Sequence, residues 1–442
     1  MIAGLASWRP SRLLRDASWI SVALMAPETV RGLVFLALAP LLGPEAYGLM
    51  GLAAMVIAVA TLLLRDGWVT ALLARSELPD PLLSSCFRAL AMFAVALIPA
   101  ILGGGWLLGH IFTEPLLPVI VAALVPAVLA ETVAVPARAW LLHHRRSRDV
   151  ALASTIAAMF AGISAGGGAL AGWGVWSLVV FNLSLSVSTS SLLYLRSGWK
   201  PGRRFASGGI RPVLAAAAGI GAGNAVLLLE QIVLRSFVAA VFGTAGLGAL
   251  MLMRRVVDLI AGATSMALGR ASLIGIARYP AGSSDRRRTL VQALSLGLLL
   301  AVPPALLLAV AGEAAVVWLA GPEWTDSGPL LEAGALLVLA LPLNAVLAQW
   351  HYGHHRTGLE LGLRILGSLL LLALLPLVLV GGLTGVVLAM AGRSWILLFC
   401  RLLLVYGTGG LPGILQRTRR APAVISGYRR KRTGRRCTPP QG

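Results

Sequence analysis

The feature that most restricts this chain is the way its basic residues alternate between long apolar runs. Those runs cover 17–42, 46–64, 83–110, 117–142, 150–171 and 174–195, then 212–241, 246–276, 290–312, 328–350, 361–380 and 384–407. Each is about as long as, or longer than, the ~20 residues an α-helix needs to cross a hydrocarbon core. Lipid offers the backbone no hydrogen-bond partner, so a spanning run of this kind must satisfy its own amides as a helix. Only 12% of the residues are charged and 58% are hydrophobic, which leaves too little charge to cover a water-exposed surface. The expected fold class is an all-α polytopic membrane protein of about 12 transmembrane helices.

The basic residues then set the orientation. They gather at Arg9, Arg12 and Arg15, at Arg65 and Arg75, at Arg145, Arg146 and Arg148, at Arg196, Lys200, Arg203, Arg204 and Arg211, at Arg278 and Arg286, Arg287 and Arg288, at Arg356, and in the tail. The intervening segments 43–46, 111–116, 172–173, 242–245, 313–327 and 381–383 hold no Lys or Arg. The positive-inside rule therefore puts both termini in the cytoplasm of a bacterial inner membrane. On this reading the net charge of +20 reports topology, and no motif marks nucleic acid as a partner. The tail from about 412, with Arg429-Arg430-Lys431-Arg432, is expected to be disordered or to lie on anionic membrane lipids. Cys86, Cys400 and Cys437 form no paired motif, so neither a disulfide framework nor a metal site is expected.

The two halves of the chain resemble one another. Gly43-Pro44-Glu45-Ala46-Tyr47-Gly48 is matched by Gly243-Thr244-Ala245-Gly246-Leu247-Gly248, His143-His144-Arg145 by His354-His355-Arg356, and Gly172-Trp173-Gly174-Val175 by Gly382-Leu383-Thr384-Gly385-Val386. Six helices per half make the repeats parallel, related by an axis along the membrane normal, as in alternating-access transporters. The expected organisation is a cytoplasmic N-terminus over 1–16, a six-helix bundle over 17–195, a cytoplasmic linker over 196–211, a second six-helix bundle over 212–407 and a basic tail over 408–442.

Several of these pieces, taken in order, resemble a known family. Leu42 to Leu49, Arg65-Asp66-Gly67, the run Leu72 to Arg75, Gly172-Trp173-Gly174-Val175-Trp176-Ser177, and Leu319-Ala320-Gly321-Pro322-Glu323-Trp324 with Pro329-Leu330-Leu331 are similar to polysaccharide-biosynthesis flippases of the multidrug/oligosaccharidyl-lipid/polysaccharide exporter superfamily. The resemblance implies a V-shaped twelve-helix bundle that flips an undecaprenyl-diphosphate-linked oligosaccharide from cytoplasm to periplasm for surface polysaccharide. A polymerase and export complex would be its associates. The acidic residue frequent in that family's seventh helix stands here as Glu230.

Charges deep in the apolar runs supply the candidate site. Arg31, Arg254, Arg255 and Arg393 lie ~13–16 Å from the outer end of their helices by helical rise, and Arg235 is shallower. Guanidinium groups at that depth need a water-filled cavity or a counter-charge, and their forked donors match phosphate oxygens. These five are the candidate substrate-binding residues. The competing reading is internal pairing, Glu28 with Arg31 and Arg254 with Asp258 along single helices. Pro27, beside Glu28, is a candidate hinge. Glu28, Glu131, Glu230 and Asp258 are candidates for gating or for coupling to a proton or sodium gradient, with structural ion pairs as the alternative. No other cofactor is expected.

Two further readings compete. A multidrug or metabolite exporter of the same superfamily would carry cationic cargo and want an acidic cavity. A membrane-embedded polymerase or glycosyltransferase would want a large outer loop with catalytic acids or His, and the longest outer segment, 312–328, holds only Glu313, Glu323 and Asp326 as ionisable groups. No Gly-rich phosphate loop of the G-x-x-x-x-G-K type occurs, so ATP is not expected to drive the protein directly. A relative that flips the peptidoglycan precursor has fourteen helices, two more than this chain is expected to have.

Overall fold

The computed structural model describes residues 12–202, 210–277, 284–354 and 356–407. Arg9, Arg203, Arg204, Arg278, His355 and the basic tail lie outside the described residues. The elements in order are α1 (Arg12–Thr61), a π turn (Leu62–Asp66), α2 (Gly67–Leu73), α3 (Asp80–Ile111), α4 (Leu117–Val133), α5 (Val135–His143), α6 (Ser147–Leu170) and α7 (Val175–Ser197). The second half gives α8 (Ile210–Ala277), α9 (Ser284–Ala320), a 3-10 turn (Pro322–Ser327), α10 (Gly328–Gly353), α11 (Thr357–Leu374) and α12 (Val378–Gly407). Residues Met1–Leu398 form one compact unit and Phe399–Gly442 another; the contacts below all lie within the first.

Among the described residues, ten helical stretches are long and apolar enough to cross a membrane. Two of them, Met25–Leu73 with 49 residues and Ile210–Gly269 with 60, are far longer than one crossing needs at ~1.5 Å per residue. Each is two rods joined at a single glycine, Gly43 (φ 68°, ψ 167°) in α1 and Gly243 (φ 69°, ψ −173°) in α8. The Tyr47 hydroxyl donates to the Phe35 carbonyl at 2.6 Å, although twelve residues of unbroken helix would separate them by ~18 Å. The chain therefore reverses at Gly43. In α8, Arg235 and Arg254 lie within electrostatic reach of each other across the Gly243 break. With both long stretches divided, the crossings among the described residues number twelve, as the apolar runs require. Only glycine takes this left-handed conformation freely; another residue pays roughly 1–2 kcal/mol. Pro44 follows at the start of the next rod, where its missing N–H leaves no helical bond unmade.

The two reversals lock together. A Cβ at Gly48 would lie 1.8 Å from the Thr244 carbonyl oxygen, and one at Gly248 would lie 1.9 Å from the Pro44 carbonyl oxygen. The backbones of α1 and α8 thus touch at two places that are equivalents in the repeat. Over them sits Trp324 from the 3-10 turn, 1% exposed. Its Nε1 donates to the Ala39 carbonyl at 3.0 Å, and its ring meets Tyr47 edge-on at 5.3 Å. Two motifs far apart in the sequence, Gly43–Gly48 and Leu319–Trp324, meet at one end of the bundle.

The repeat extends to the other turns. Gly174 (φ 56°, ψ −131°) and Gly382 (φ 55°, ψ −138°) hold the same strained turn before the last helix of each half. At the opposite membrane face, His144 Nδ1 lies 2.8 Å from the Trp140 carbonyl and its ring is against Trp140. His354 Nδ1 lies 2.8 Å from the Trp350 carbonyl, against Trp350. Arg146 and Arg356 then share nearly the same backbone angles. The equivalence is therefore His144 with His354, one residue away from the match of His143 with His354 that the sequence alignment of the halves assumes.

Three segments differ from the sequence reading. The π turn and α2 carry the helix past 64 to Leu73. The fourth crossing breaks at Ala134, just ahead of Pro136. The outer segment 313–327 is not a loop, because α9 continues to Ala320 past a break at Ala311 and the 3-10 turn follows. α1 keeps helical dihedrals through Pro27, and its one non-helical residue is Gly43.

Candidate functional site

Arg31 and Arg255 each stand twelve residues from a glycine break, Arg31 before Gly43 and Arg255 after Gly243, so both lie ~18 Å inward along their rods. The first rod of α1 and the second rod of α8 meet at this depth because Gly32 has no side chain; the Leu259 side chain occupies the place its Cβ would take. Around that contact the charges gather. Arg31 Nη1 donates to Glu28 Oε1 at 2.9 Å. Arg255 Nη2 donates to the Glu28 backbone carbonyl at 3.4 Å and its guanidinium lies 5.9 Å from the centre of the Phe35 ring. Arg254 Nε donates to Asp258 Oδ2 at 3.4 Å.

This cluster is open. Arg254 and Asp258 are 50% and 49% exposed, and Glu28 is 58% exposed. Arg31 is 27% exposed. The Nε atoms of Arg31 and Arg255 are buried without a hydrogen-bond partner. Arg235, whose Nη2 is 3.5 Å from Gln231 Oε1, adds its field to that of Arg254. Three guanidinium groups, Arg31, Arg254 and Arg255, thus gather around two carboxylates, leaving an excess of positive charge with donors to spare. The intrahelical pairs and the open arginines are features of one site.

Arg393 and Glu230 pair with each other. Arg393 Nη1 donates to Glu230 Oε1, and the Ser368 hydroxyl donates to Glu230 Oε2. One apolar cavity of about 250 Å³ between α8 and α11 has Glu230 and Ser368 on its wall. Glu131 forms a network of similar make-up in the first half, on a helix that is not the repeat equivalent of Glu230's. Arg65 Nη1 donates to Glu131 Oε2 at 2.6 Å and Ser186 Oγ to Glu131 Oε1 at 2.9 Å. Arg65 stands on the π turn, a distortion that re-aims a side chain within a helix and recurs at functional sites. Arg31 lies within electrostatic reach of Glu131, so this network adjoins the open cluster.

Sequence reasoning missed Arg65, Ser186 and Ser368 as members of these networks. Arg65 was counted only as a cytoplasmic charge, although it falls in one of the quoted motifs. The run of hydroxyl residues in α7, from Ser184 to Ser191, was the signal for Ser186. At the end of α10 away from Gly43 and Gly243, burial first, and then Arg286 and Arg356, hold the His354 imidazole pKa below its ordinary value against the pull of its Trp350 hydrogen bond.

The comparisons bear on this arrangement. Residues 37–329 match the model of a family described as polysaccharide biosynthesis protein. Among curated proteins none matches in sequence. The fold is similar to that of the lipid II flippase MurJ in an inward closed conformation, with a TM-score of 0.71, 15% identity, and coverage of 90% of this chain and 88% of that one. It is also similar to an inward-facing multidrug resistance MATE family transporter of the MOP superfamily, with a TM-score of 0.66, 14% identity, and coverage of 88% and 98%. For an outward-facing structure of such a transporter the TM-score is 0.57, at 14% identity and coverage of 88% and 94%. The helical fold is thus similar to that of these solved structures, and the match over well more than half its length makes this multi-pass membrane protein a member of the polysaccharide biosynthesis protein family.

Proposed function

We propose that the protein is a flippase that carries a polyprenyl-diphosphate-linked oligosaccharide from the cytoplasmic to the periplasmic side of a bacterial inner membrane, for surface polysaccharide assembly. The observation that carries this reading is the open cluster of Arg31, Arg254 and Arg255 at the meeting of α1 and α8, at a depth where exposed guanidinium groups require water. A diphosphate offers paired anionic oxygens to guanidinium forks, and Arg235 extends the positive field. Family membership supports a role in polysaccharide synthesis. The sealed outer ends of α1 and α8, and the better match to inward-facing relatives, support a cytoplasm-facing loading state with both termini in the cytoplasm.

The work is translocation and needs no covalent step. Arg254 and Arg255 receive the diphosphate. Arg31, held by Glu28, completes the cradle from the other half of the repeat. The Arg393–Glu230 and Arg65–Glu131 pairs are the places where a proton or sodium gradient would enter. A cationic-drug exporter is disfavoured because the open cluster carries more arginines than acids.

Complementation of a flippase-deficient strain tests the reading. Arg254→Ala and Arg255→Ala are expected to block polysaccharide export at unchanged protein level, with lipid-linked sugar accumulating on the cytoplasmic face. Lys in place of each is expected to restore export only in part, since it keeps the charge and loses the fork. Normal export in both Ala variants would overturn the assignment.

A further inference from the structure

A second apolar cavity, also about 250 Å³, lies on the other flank of α8's first rod. Its walls include Val56 and Ala60 from α1, Ala100 and Gly104 from α3, and Ile232 and Ser236 from α8. Met55 and Ile232, which also line it, lie twelve and eleven residues from Gly43 and Gly243. That puts its inner part at the depth of Arg31 and Arg255. Leu107 and Leu108 carry it outward along α3, toward the helix end at Ile111. Ser236 is the one hydroxyl residue among its lining residues.

We infer that this groove holds the polyprenyl tail of the substrate while the diphosphate occupies the arginine cluster. The inference rests on the flippase reading and adds to it a tail site with a definite place. Three features favour a carried tail over an incidental membrane lipid. Arg235 is the chain neighbour of Ser236 on the groove wall, and its charge reaches Arg254. A cation at the groove's flank suits a chain tethered to an anionic head. The groove is also shared between the two halves of the repeat, with α1 and α3 on one side and α8 on the other, so it changes width when the halves move. Finally, its lining is almost wholly apolar and accommodates a chain that makes no directional bonds.

Filling the groove tests this. Ala100 is an exposed position on its wall, so Ala100→Trp places bulk in the groove without displacing a packed neighbour. At Gly104 a Cβ would meet Val56 Cγ1 at 3.3 Å, so Gly104→Leu closes the gap between α1 and α3. The measurement is binding of undecaprenyl diphosphate and of geranyl diphosphate to the full-length protein in nanodiscs. Both groove variants are expected to weaken the long-chain probe about tenfold, ~1.4 kcal/mol, and leave the short-chain probe unchanged. Arg255→Ala is expected to weaken both. Undiminished long-chain binding in both groove variants would overturn the tail site and leave the head site standing. Equal binding of a phosphatidylethanolamine probe and of undecaprenyl diphosphate would overturn it in favour of an ordinary lipid site. Failure of the native protein to bind either diphosphate would defeat the flippase reading and the tail site with it.

Discussion

Gly48 and Gly248 make the same contact twice, each lying under a backbone carbonyl of the other half of the repeat, Thr244 for Gly48 and Pro44 for Gly248. The outer ends of α1 and α8 can approach this closely only because neither position carries a side chain. The neighbouring atom in each case is main chain and has no rotamer by which to yield.

Gly48→Ala and Gly248→Ala are therefore expected to force the outer ends apart. Overpacking of this kind costs about 1–3 kcal/mol, and the thermal midpoint should fall accordingly. A cysteine at Ala46, buried beside the contact, should become more reactive toward an impermeant thiol reagent applied from the outer face. Unchanged reactivity in both variants would show that the contact does not hold the outer side shut.

Trp324 seals the same end. Trp324→Ala removes a fully buried indole and is expected to cost about 3–5 kcal/mol, with the Ala46 cysteine again exposed. Trp324→Phe keeps the ring against Tyr47 and gives up the bond to the Ala39 carbonyl, for about 1 kcal/mol. Thermal unfolding together with the labelling assay separates the two. Equal effects would mean that the hydrogen bond, and not the bulk, forms the seal.

Much of this architecture was legible because lipid imposes simple rules. The apolar runs and the one-sided basic segments gave the crossings, and the glycine turns gave the reversals at Gly43 and Gly243. Pairings between distant helices were not legible. Nothing local ties Arg393 to Glu230, Arg65 to Glu131 or Trp324 to Ala39, since each partner is chosen by packing of the whole bundle. The π turn at Leu62–Asp66 was hidden for a related reason: its residues are ordinary helix formers, and the turn carries Arg65 to the half-buried Glu131. The pairs Arg31–Glu28 and Arg254–Asp258 were visible as helical spacings, but whether they closed or opened the site depended on the face α8 presents to α1.

The Arg393–Glu230 pair gives a separate test. Its side chains are 24% and 12% exposed, so removing one partner takes a counter-charge from the other in a largely apolar setting. Arg393→Leu and Glu230→Leu are each expected to destabilise toward the lower end of the 3–5 kcal/mol seen for broken buried pairs. The double variant is expected to lose clearly less than the two single losses combined, as a double-mutant cycle on thermal unfolding would register. Additive losses would mean that the two residues act independently.

A diphosphate can be received only if water reaches the arginines at the middle of the membrane. With the native cysteines replaced, single cysteines at Arg254 and at Leu299, an exposed residue of α9 (68%), would be offered a membrane-impermeant thiol reagent from the cytoplasmic side of inverted vesicles. Rapid labelling at 254 and none at 299 is the predicted result. Position 254 as unreactive as position 299 would contradict it, because the guanidinium groups would then be facing lipid or protein and no hydrated passage would exist to receive a diphosphate.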